Sequence, residues 1–144
     1  MCSLRSLDVM RLQLMLNVRR LFTTGLFPVT APTLDALIGE ELGGIHFVRD
    51  YVEFYFDGPV VRALSNPVVL LHGRRIAFPD AGSRDALCTL IGQPLASLTL
   101  TDDVELRLEF ANHAVVTINL DPMHAIGPEC MHFMPGRGAP MQVW

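Results

Sequence analysis

The side chains best suited to binding a metal lie near the end of the chain. Cys130 and His132 are separated by a single residue, which would place both on one face of a strand, and His124 lies six residues before Cys130. Thiolate and imidazole groups are common ligands of zinc. The sequence shows no fourth ligand and no Cys-x-x-Cys pair. We therefore predict no metal and no other cofactor, with His124, Cys130 and His132 as weak candidates for a metal site.

The same region could support nucleophilic catalysis by Cys130 with His132 and Asp121, because such groups need only meet in space. No nucleophile elbow surrounds Cys130. Cys88 lies within a predicted helix, where burial as a small apolar side chain is the simpler interpretation. The sequence therefore predicts a protein that is not an enzyme.

Acidic residues recur along the predicted strands in two groups. They are Asp50, Glu53 and Asp57, and then Asp102, Asp103, Glu105 and Glu109. Paired carboxylates can act as acid and base in a cleft that shifts their pKa values, but the sequence indicates neither a cleft nor a shift. Alternation places Glu53 and Tyr55 on the face opposite Phe54 and Phe56. This pattern predicts a solvated outer face.

An acidic face with aromatic side chains can also bind a protein partner. Complementary charge speeds the encounter, and aromatic side chains supply anchors. Burial of the aromatic residues in the core is the alternative interpretation. The candidate partner-binding residues are Asp50, Tyr51, Glu53, Tyr55, Asp102, Asp103, Glu105 and Trp144.

A pattern that occurs twice organises the elements that position these residues. A shift of 53 positions places Leu37-Ile38-Gly39 over Leu90-Ile91-Gly92. In each copy a short helix, starting near Thr33 or Ser83, is predicted to end at the glycine, which readily adopts a left-handed conformation. We interpret the chain as one domain, 1–144. It comprises an N-terminal helix and connector (1–31), a first repeat (32–81) and a second repeat (82–144).

Period-two alternation predicts strands after each short helix. In the first copy they are Leu42–Val48, Tyr51–Phe56, Val60–Leu64, Val68–Leu71 and Arg75–Phe78. In the second they are Leu95–Leu100, Val104–Phe110, Ala114–Leu120, Cys130–Met134 and Met141–Trp144. The predicted fold is α+β, a mainly antiparallel sheet plus the N-terminal helix. We write each repeat as α-β-β-β-β, a short helix followed by about four strands, one fewer than the five segments named for each copy. The sequence leaves a sandwich and a bent half-barrel open.

The length and composition of the chain limit the classes of protein to which it can belong. The 144 residues, half of them hydrophobic, suffice for one domain with a core. Three cysteines without paired spacing argue against a disulfide framework, which predicts a cytoplasmic location. The apolar stretch in residues 1–31 is interrupted by arginines, so it predicts neither an export signal nor a membrane span.

Charge is unevenly distributed along the chain. Residues 1–31 contain four arginines and one acid, a net charge of +3, whereas residues 32–144 contain seven arginines and fourteen acids, a net charge of −7. Nucleic-acid binding depends on clustered basic side chains, so the acidic body argues against a nucleic-acid partner. It is compatible with a basic protein partner.

Three stretches resemble a known group of proteins. They are the doubled Leu-x-x-Leu-Ile-Gly-x-x-Leu pattern, Glu-Phe-Tyr-Phe-Asp-Gly at 53–58, and the ending from Asp121-Pro122 through Gly127-Pro128-Glu129 to Pro135-Gly136 and Val143-Trp144. Residues 33–144 are thereby similar to a family of short uncharacterised bacterial proteins that are encoded near polymorphic or contact-dependent toxins and are taken to be immunity proteins. The resemblance implies a cytoplasmic protein that neutralises a cognate toxin by direct occlusion, and it implies no catalytic residues.

A second hypothesis belongs to a different class. The protein could be a small-molecule or metal-binding protein, or an enzyme, that uses a cavity of the bent sheet near His124, Cys130 and His132. A homodimer formed through the N-terminal helix is compatible with either hypothesis.

Overall fold

The computed structural model describes residues 32–144. The helix and connector predicted over residues 1–31 lie outside the described residues. Within residues 32–144, the chain forms ten strands, one α-helix and two 3-10 helices. None of the helices in this part of the chain is long and apolar enough to cross a membrane.

The strands agree with the predicted ones to within two residues at each end. They are β1 (Gly44–Val48), β2 (Tyr51–Tyr55), β3 (Val60–Ala63), β4 (Val68–Leu71), β5 (Arg74–Ala77), β6 (Leu95–Thr101), β7 (Glu105–Phe110), β8 (Val115–Asn119), β9 (Met131–Met134) and β10 (Gln142–Val143). The helices are α1 (Ser83–Cys88) and the 3-10 helices Leu34–Leu37 and Pro122–His124.

The ten strands form two five-stranded sheets. Sheet 1 has the order β1-β2-β3-β9-β10 and sheet 2 has the order β5-β4-β8-β7-β6. Every strand pair is antiparallel, so the predicted mainly antiparallel sheet is confirmed. The sheets do not coincide with the two halves of the sequence. The β4–β5 hairpin follows β3 along the chain but pairs with β8, and the β9–β10 hairpin pairs with β3.

The inner faces of the two sheets share one hydrophobic core. Alternate residues of β2 and β7 face it, as predicted, and Phe54, Leu106 and Leu108 have no exposed surface. The rings of Phe56 and Phe110, one from each sheet's side of the core, are stacked with their centroids 6.5 Å apart. Apolar side chains from both sheets therefore leave water together on folding.

The glycine of each Leu-Ile-Gly segment donates a hydrogen bond to a leucine that follows the other segment, where the two sheets begin. The Gly39 amide donates to the Leu95 carbonyl, and the Gly92 amide donates to the Leu42 carbonyl, both at 2.8 Å. Both glycines have a left-handed backbone, with φ of +87° and +86°, which only glycine adopts readily. These bonds hold the segment before β1 against the segment before β6.

The two short helices differ from the predicted capped helices. The first is a 3-10 helix, and the Thr33 side chain makes no capping bond. The second is capped by Gly82, so that Ser83 lies inside α1 and is buried. The prediction that Cys88 is buried is wrong, because Ala86 and Leu87 occupy the buried face of α1 and Cys88 is exposed.

Candidate functional site

A row of polar side chains crosses the outer face of sheet 1, the face opposite the core. Strand register places His46 of β1 beside Glu53 of β2, Glu53 beside Arg62 of β3, and Arg62 beside His132 of β9. Directly opposed residues have Cβ atoms about 4.5–5.5 Å apart, so their side chains can bond directly. We call these four residues, together with Tyr51, Tyr55 and Glu129, the polar network.

Glu53 is the central residue of the polar network and is only 6% exposed. Its Oε2 accepts a hydrogen bond from the Tyr55 hydroxyl at 2.7 Å. Its Oε1 accepts bonds from Nε and Nη2 of Arg62, each at 2.8 Å. His46 Nδ1 lies 3.8 Å from Oε2. A carboxylate this buried requires such partners, because an unpaired buried charge is strongly destabilising.

These contacts shift the pKa values of the Glu53 carboxyl and of the Tyr55 hydroxyl. Burial raises the pKa of the Glu53 carboxyl, but the hydrogen bonds from Tyr55 and Arg62 and the charges of Arg62 and His46 lower it by more in total, so its pKa lies below the ordinary value of 4.5. The hydrogen bond to Glu53, followed by burial, raises the pKa of the Tyr55 hydroxyl. The pair therefore stays a carboxylate and a neutral phenol at neutral pH.

His132 links the arginine to a second carboxylate. It is 8% exposed, its Nδ1 lies 3.5 Å from Nη1 of Arg62, and its Nε2 bonds to Oε2 of Glu129. A guanidinium group can only donate, so Nδ1 acts as the acceptor in this contact and Nε2 carries the proton that is donated to Glu129.

Aromatic rings flank the charged atoms of the polar network. The Arg62 guanidinium carbon lies 4.9 Å from the centroid of the Tyr51 ring, a distance at which a cation is attracted to the ring face. The rings of His46 and Tyr55 lie 4.4 Å apart. Tyrosine and arginine are residue types that are enriched in protein interfaces.

A cavity of about 300 Å³ adjoins the polar network at Glu129. Its apolar walls come from Leu64, Ile126 and Pro128, and its two carboxylates are those of Asp50 and Glu129. Asp50 lies in the turn between β1 and β2, while 126–129 belong to the loop that precedes β9. We call it the Asp50 cavity, defined by Asp50, Leu64, Ile126, Gly127, Pro128 and Glu129.

Four predicted partner-binding residues lie together on this side of sheet 1. They are Asp50, Tyr51, Glu53 and Tyr55, with the weak metal candidate His132 beside them. The expectation that this face is solvated is wrong for Glu53, because Tyr55 and Arg62 contact its carboxylate.

The other four predicted partner-binding residues lie elsewhere. Asp102 and Asp103 are exposed in the turn between β6 and β7 of sheet 2. Glu105 lines a second cavity, of about 320 Å³, together with Arg75 and His124. Trp144 is partly buried against the core, and its backbone bonds to Cys130 and Met131. The predicted set is therefore divided between the two sheets.

The three weak metal candidates have separate surroundings. The His124 side chain is largely exposed and lies 3.3 Å from Asp121. Cys130 is in the core, and burial, with smaller contributions from Asp121 and Asp103, raises the pKa of its thiol. Strand β9 starts at Met131, so Cys130 lies before it and the side chains alternate between the two faces only from Met131 onward. His132, the next residue after the buried Met131, therefore faces away from the core. Both Cys130 and His132 are buried. Among residues 32–144, no group of three or more His, Cys, Asp or Glu side chains could hold a metal ion.

Comparison with known proteins gave no match to a family model, to a curated protein or to a solved structure. The function of the site must therefore be inferred from its geometry.

Three residues of the polar network, His46, Arg62 and Glu129, are absent from the set predicted from sequence. A signal for Arg62 was present, because it is the single charged residue in the apolar stretch Val60–Leu64. An arginine in such a strand needs a carboxylate partner. The sequence alone did not say which of the fourteen acids supplied it.

The lowered pKa of Glu53 predicts a pH-dependent contribution to stability. A group whose pKa is lower in the folded state stabilises the fold above its unfolded pKa and loses this effect as the pH falls through the folded value. Between about pH 5 and 3, urea denaturation should therefore show a steeper loss of unfolding free energy for the native protein than for Glu53→Gln. Parallel curves for the two proteins would show that Glu53 titrates normally.

Proposed function

We propose that the protein is an immunity protein that binds a cognate bacterial toxin and covers its active site. The observation that carries this proposal is the polar network on the outer face of sheet 1, with the Asp50 cavity beside it. It joins ordered aromatic side chains, an arginine and carboxylates on one face. Such a face provides anchors for a protein partner.

The charge of the chain supports a basic partner. Fourteen acids against seven arginines give residues 32–144 a net charge of −7. A toxin whose active site is basic, as sites that bind phosphate groups are, has the charge that this surface complements. Complementary charge raises the association rate, which suits a protein that must act before the toxin does.

The side chains of the polar network are held in fixed positions, which supports tight binding. Tyr55 is fixed by its hydrogen bond to Glu53, and Tyr51 lies against the Arg62 guanidinium. Side chains that are already held in place lose little conformational entropy when a partner binds. Tyr51 and Tyr55 are thus the anchors of the proposed interface, and both are only partly buried in the free protein.

Co-expression with the gene next to this one tests the proposal. We expect a stoichiometric complex and restored growth, with Tyr51→Ala lowering the affinity at least about tenfold. The matched control is Asp102→Asn with Asp103→Asn, which removes charge from the turn of sheet 2 and should leave the affinity within about twofold if the interface is on sheet 1. A monodisperse protein that neither binds nor neutralises the neighbouring product would overturn the proposal.

The predicted organisation of the chain as two repeats, 32–81 and 82–144, is part of this proposal. The matching bonds of Gly39 and Gly92 support it. The strand orders support it as well, because exchanging β1–β5 with β6–β10 turns the order of sheet 1 into that of sheet 2 read from its other edge. Two hydrogen-bonded sheets around one core favour a sandwich over a half-barrel. The cytoplasmic location and the homodimer formed through residues 1–31 stay predictions.

One observation favours the alternative function, a small-molecule binder. The second cavity combines Arg75, Glu105 and His124 with the side chains of Asn66 and Asn119. Cys130 and His132, which the sequence placed near such a cavity, do not line it. A small molecule that raises the melting temperature of the native protein but not of Arg75→Ala would favour this alternative.

A further inference from the structure

We propose that the Asp50 cavity receives one arginine side chain of the protein partner, an inference that rests on the proposed function. The walls formed by Leu64, Ile126 and Pro128 suit the aliphatic stem of that side chain. The carboxylates of Asp50 and Glu129 suit its guanidinium group, which can bond to two acceptors at once.

The size of the cavity fits a single side chain. Its volume of about 300 Å³ is at the lower end of the range for small-molecule pockets. An apolar cavity of this size with two carboxylates selects a long side chain that ends in a cation. Arginine satisfies both carboxylates better than lysine does, because its five donors lie in one rigid plane whereas lysine presents a single point charge.

Each of the two carboxylates has an oxygen that can accept a bond from the incoming cation. Asp50 lies 3.9 Å from Nε of Arg49, but both side chains are largely exposed, and an exposed pair of this length contributes little. Glu129 accepts a hydrogen bond from Nε2 of His132 at Oε2, which leaves Oε1 for another donor. The nearby Arg62 is paired with Glu53 and so does not neutralise either group.

The polar network also holds one wall of the cavity in place. Glu129 is bonded to His132, His132 contacts Arg62, and Arg62 is bound to the buried Glu53. Glu129 is thereby fixed to three strands of sheet 1 although it lies in a loop. A carboxylate fixed before binding loses less entropy when the guanidinium arrives.

Titration with N-acetylarginine methylamide, followed by NMR of backbone amides at low ionic strength, tests the inference on the full chain. We expect weak, saturable shifts at the amides of Asp50, Ile126, Gly127 and Glu129. Asp50→Asn and Glu129→Gln should each weaken binding about tenfold, the effect of losing one charge-assisted hydrogen bond. The control Asp102→Asn, an exposed acid in the corresponding turn of sheet 2, should bind the probe as the native protein does. N-acetyllysine methylamide should bind more weakly than the arginine probe.

Probe binding that is absent, or that is equal in the native protein and in Asp50→Asn and Glu129→Gln, would overturn the inference. That result would leave the proposed function intact if the neighbouring toxin still bound through Tyr51. Conversely, probe binding at the cavity together with failure to bind or neutralise the toxin would overturn the proposed function and, with it, the assignment of the arginine to a toxin.

Discussion

Replacing Arg62 with methionine is expected to lower the free energy of unfolding by about 2–4 kcal/mol. The substitution removes both bonds to Oε1 of Glu53, a carboxylate that is 6% exposed. Breaking a buried pair leaves an uncompensated charge, and here the Tyr55 hydroxyl still donates one bond, which limits the loss. Urea denaturation at neutral pH, where Glu53 is ionised, measures the effect.

Two variants make this result specific. Adding Glu53→Gln to Arg62→Met removes the buried charge, so the double variant should be more stable than the single variant. Arg107→Met removes an exposed arginine from β7 of sheet 2 and should change stability by no more than about 0.5 kcal/mol. If Arg62→Met and Arg107→Met were equally stable, Glu53 would not be a buried charge in solution.

Replacing Phe110 with alanine is expected to cost about 3–5 kcal/mol, a larger loss than that expected for Arg62→Met. Phe110 has no exposed surface, and its ring is stacked on that of Phe56 across the core. Truncation leaves a cavity that both sheets line, and packed side chains can fill it only in part. Thermal and urea unfolding both measure the loss.

The control for this substitution is Val104→Ala, which removes two methyl groups from a side chain that is 52% exposed. It should change stability by about 0.5 kcal/mol or less. Phe110→Leu keeps much of the buried apolar volume and should lose less than half as much as Phe110→Ala. Equal stability of Phe110→Ala and Val104→Ala would contradict a core shared by the two sheets.

The local elements of this fold were predictable from sequence, but the pairing of its hairpins was not. Alternation in β2 and β7 identified the strands and their buried faces, because side chains of a strand alternate strictly. The same alternation is compatible with several partners for a given strand. Nothing in the residues of β4 indicates that it pairs with β8, whose sequence lies more than forty positions away.

The candidate site could be predicted from sequence only in part, and the reason is related. Asp50, Tyr51, Glu53 and Tyr55 are close in sequence, and their spacing in β2 showed that Glu53 and Tyr55 share a face. Their contacts with Arg62 and His132 depend on strand register, and His132 is 70 residues from Arg62 in the chain. Burial of Glu53 follows from those contacts, which explains why the sequence suggested a solvated position instead.

The pairing of β3 with β9 has a consequence for synthesis of the chain on the ribosome. One edge of β3 stays unpaired until Met131–Met134 has been made, because His132 of β9 is 70 residues from Arg62 of β3 in the chain. Likewise, the edge of β4 that pairs with β8 stays unpaired until Val115–Asn119 has been made. Unpaired edges recruit other strands, so the nascent chain is exposed to misassembly until both partner strands have been made. Chaperone supply during expression should therefore affect the yield of this protein more than its stability once folded.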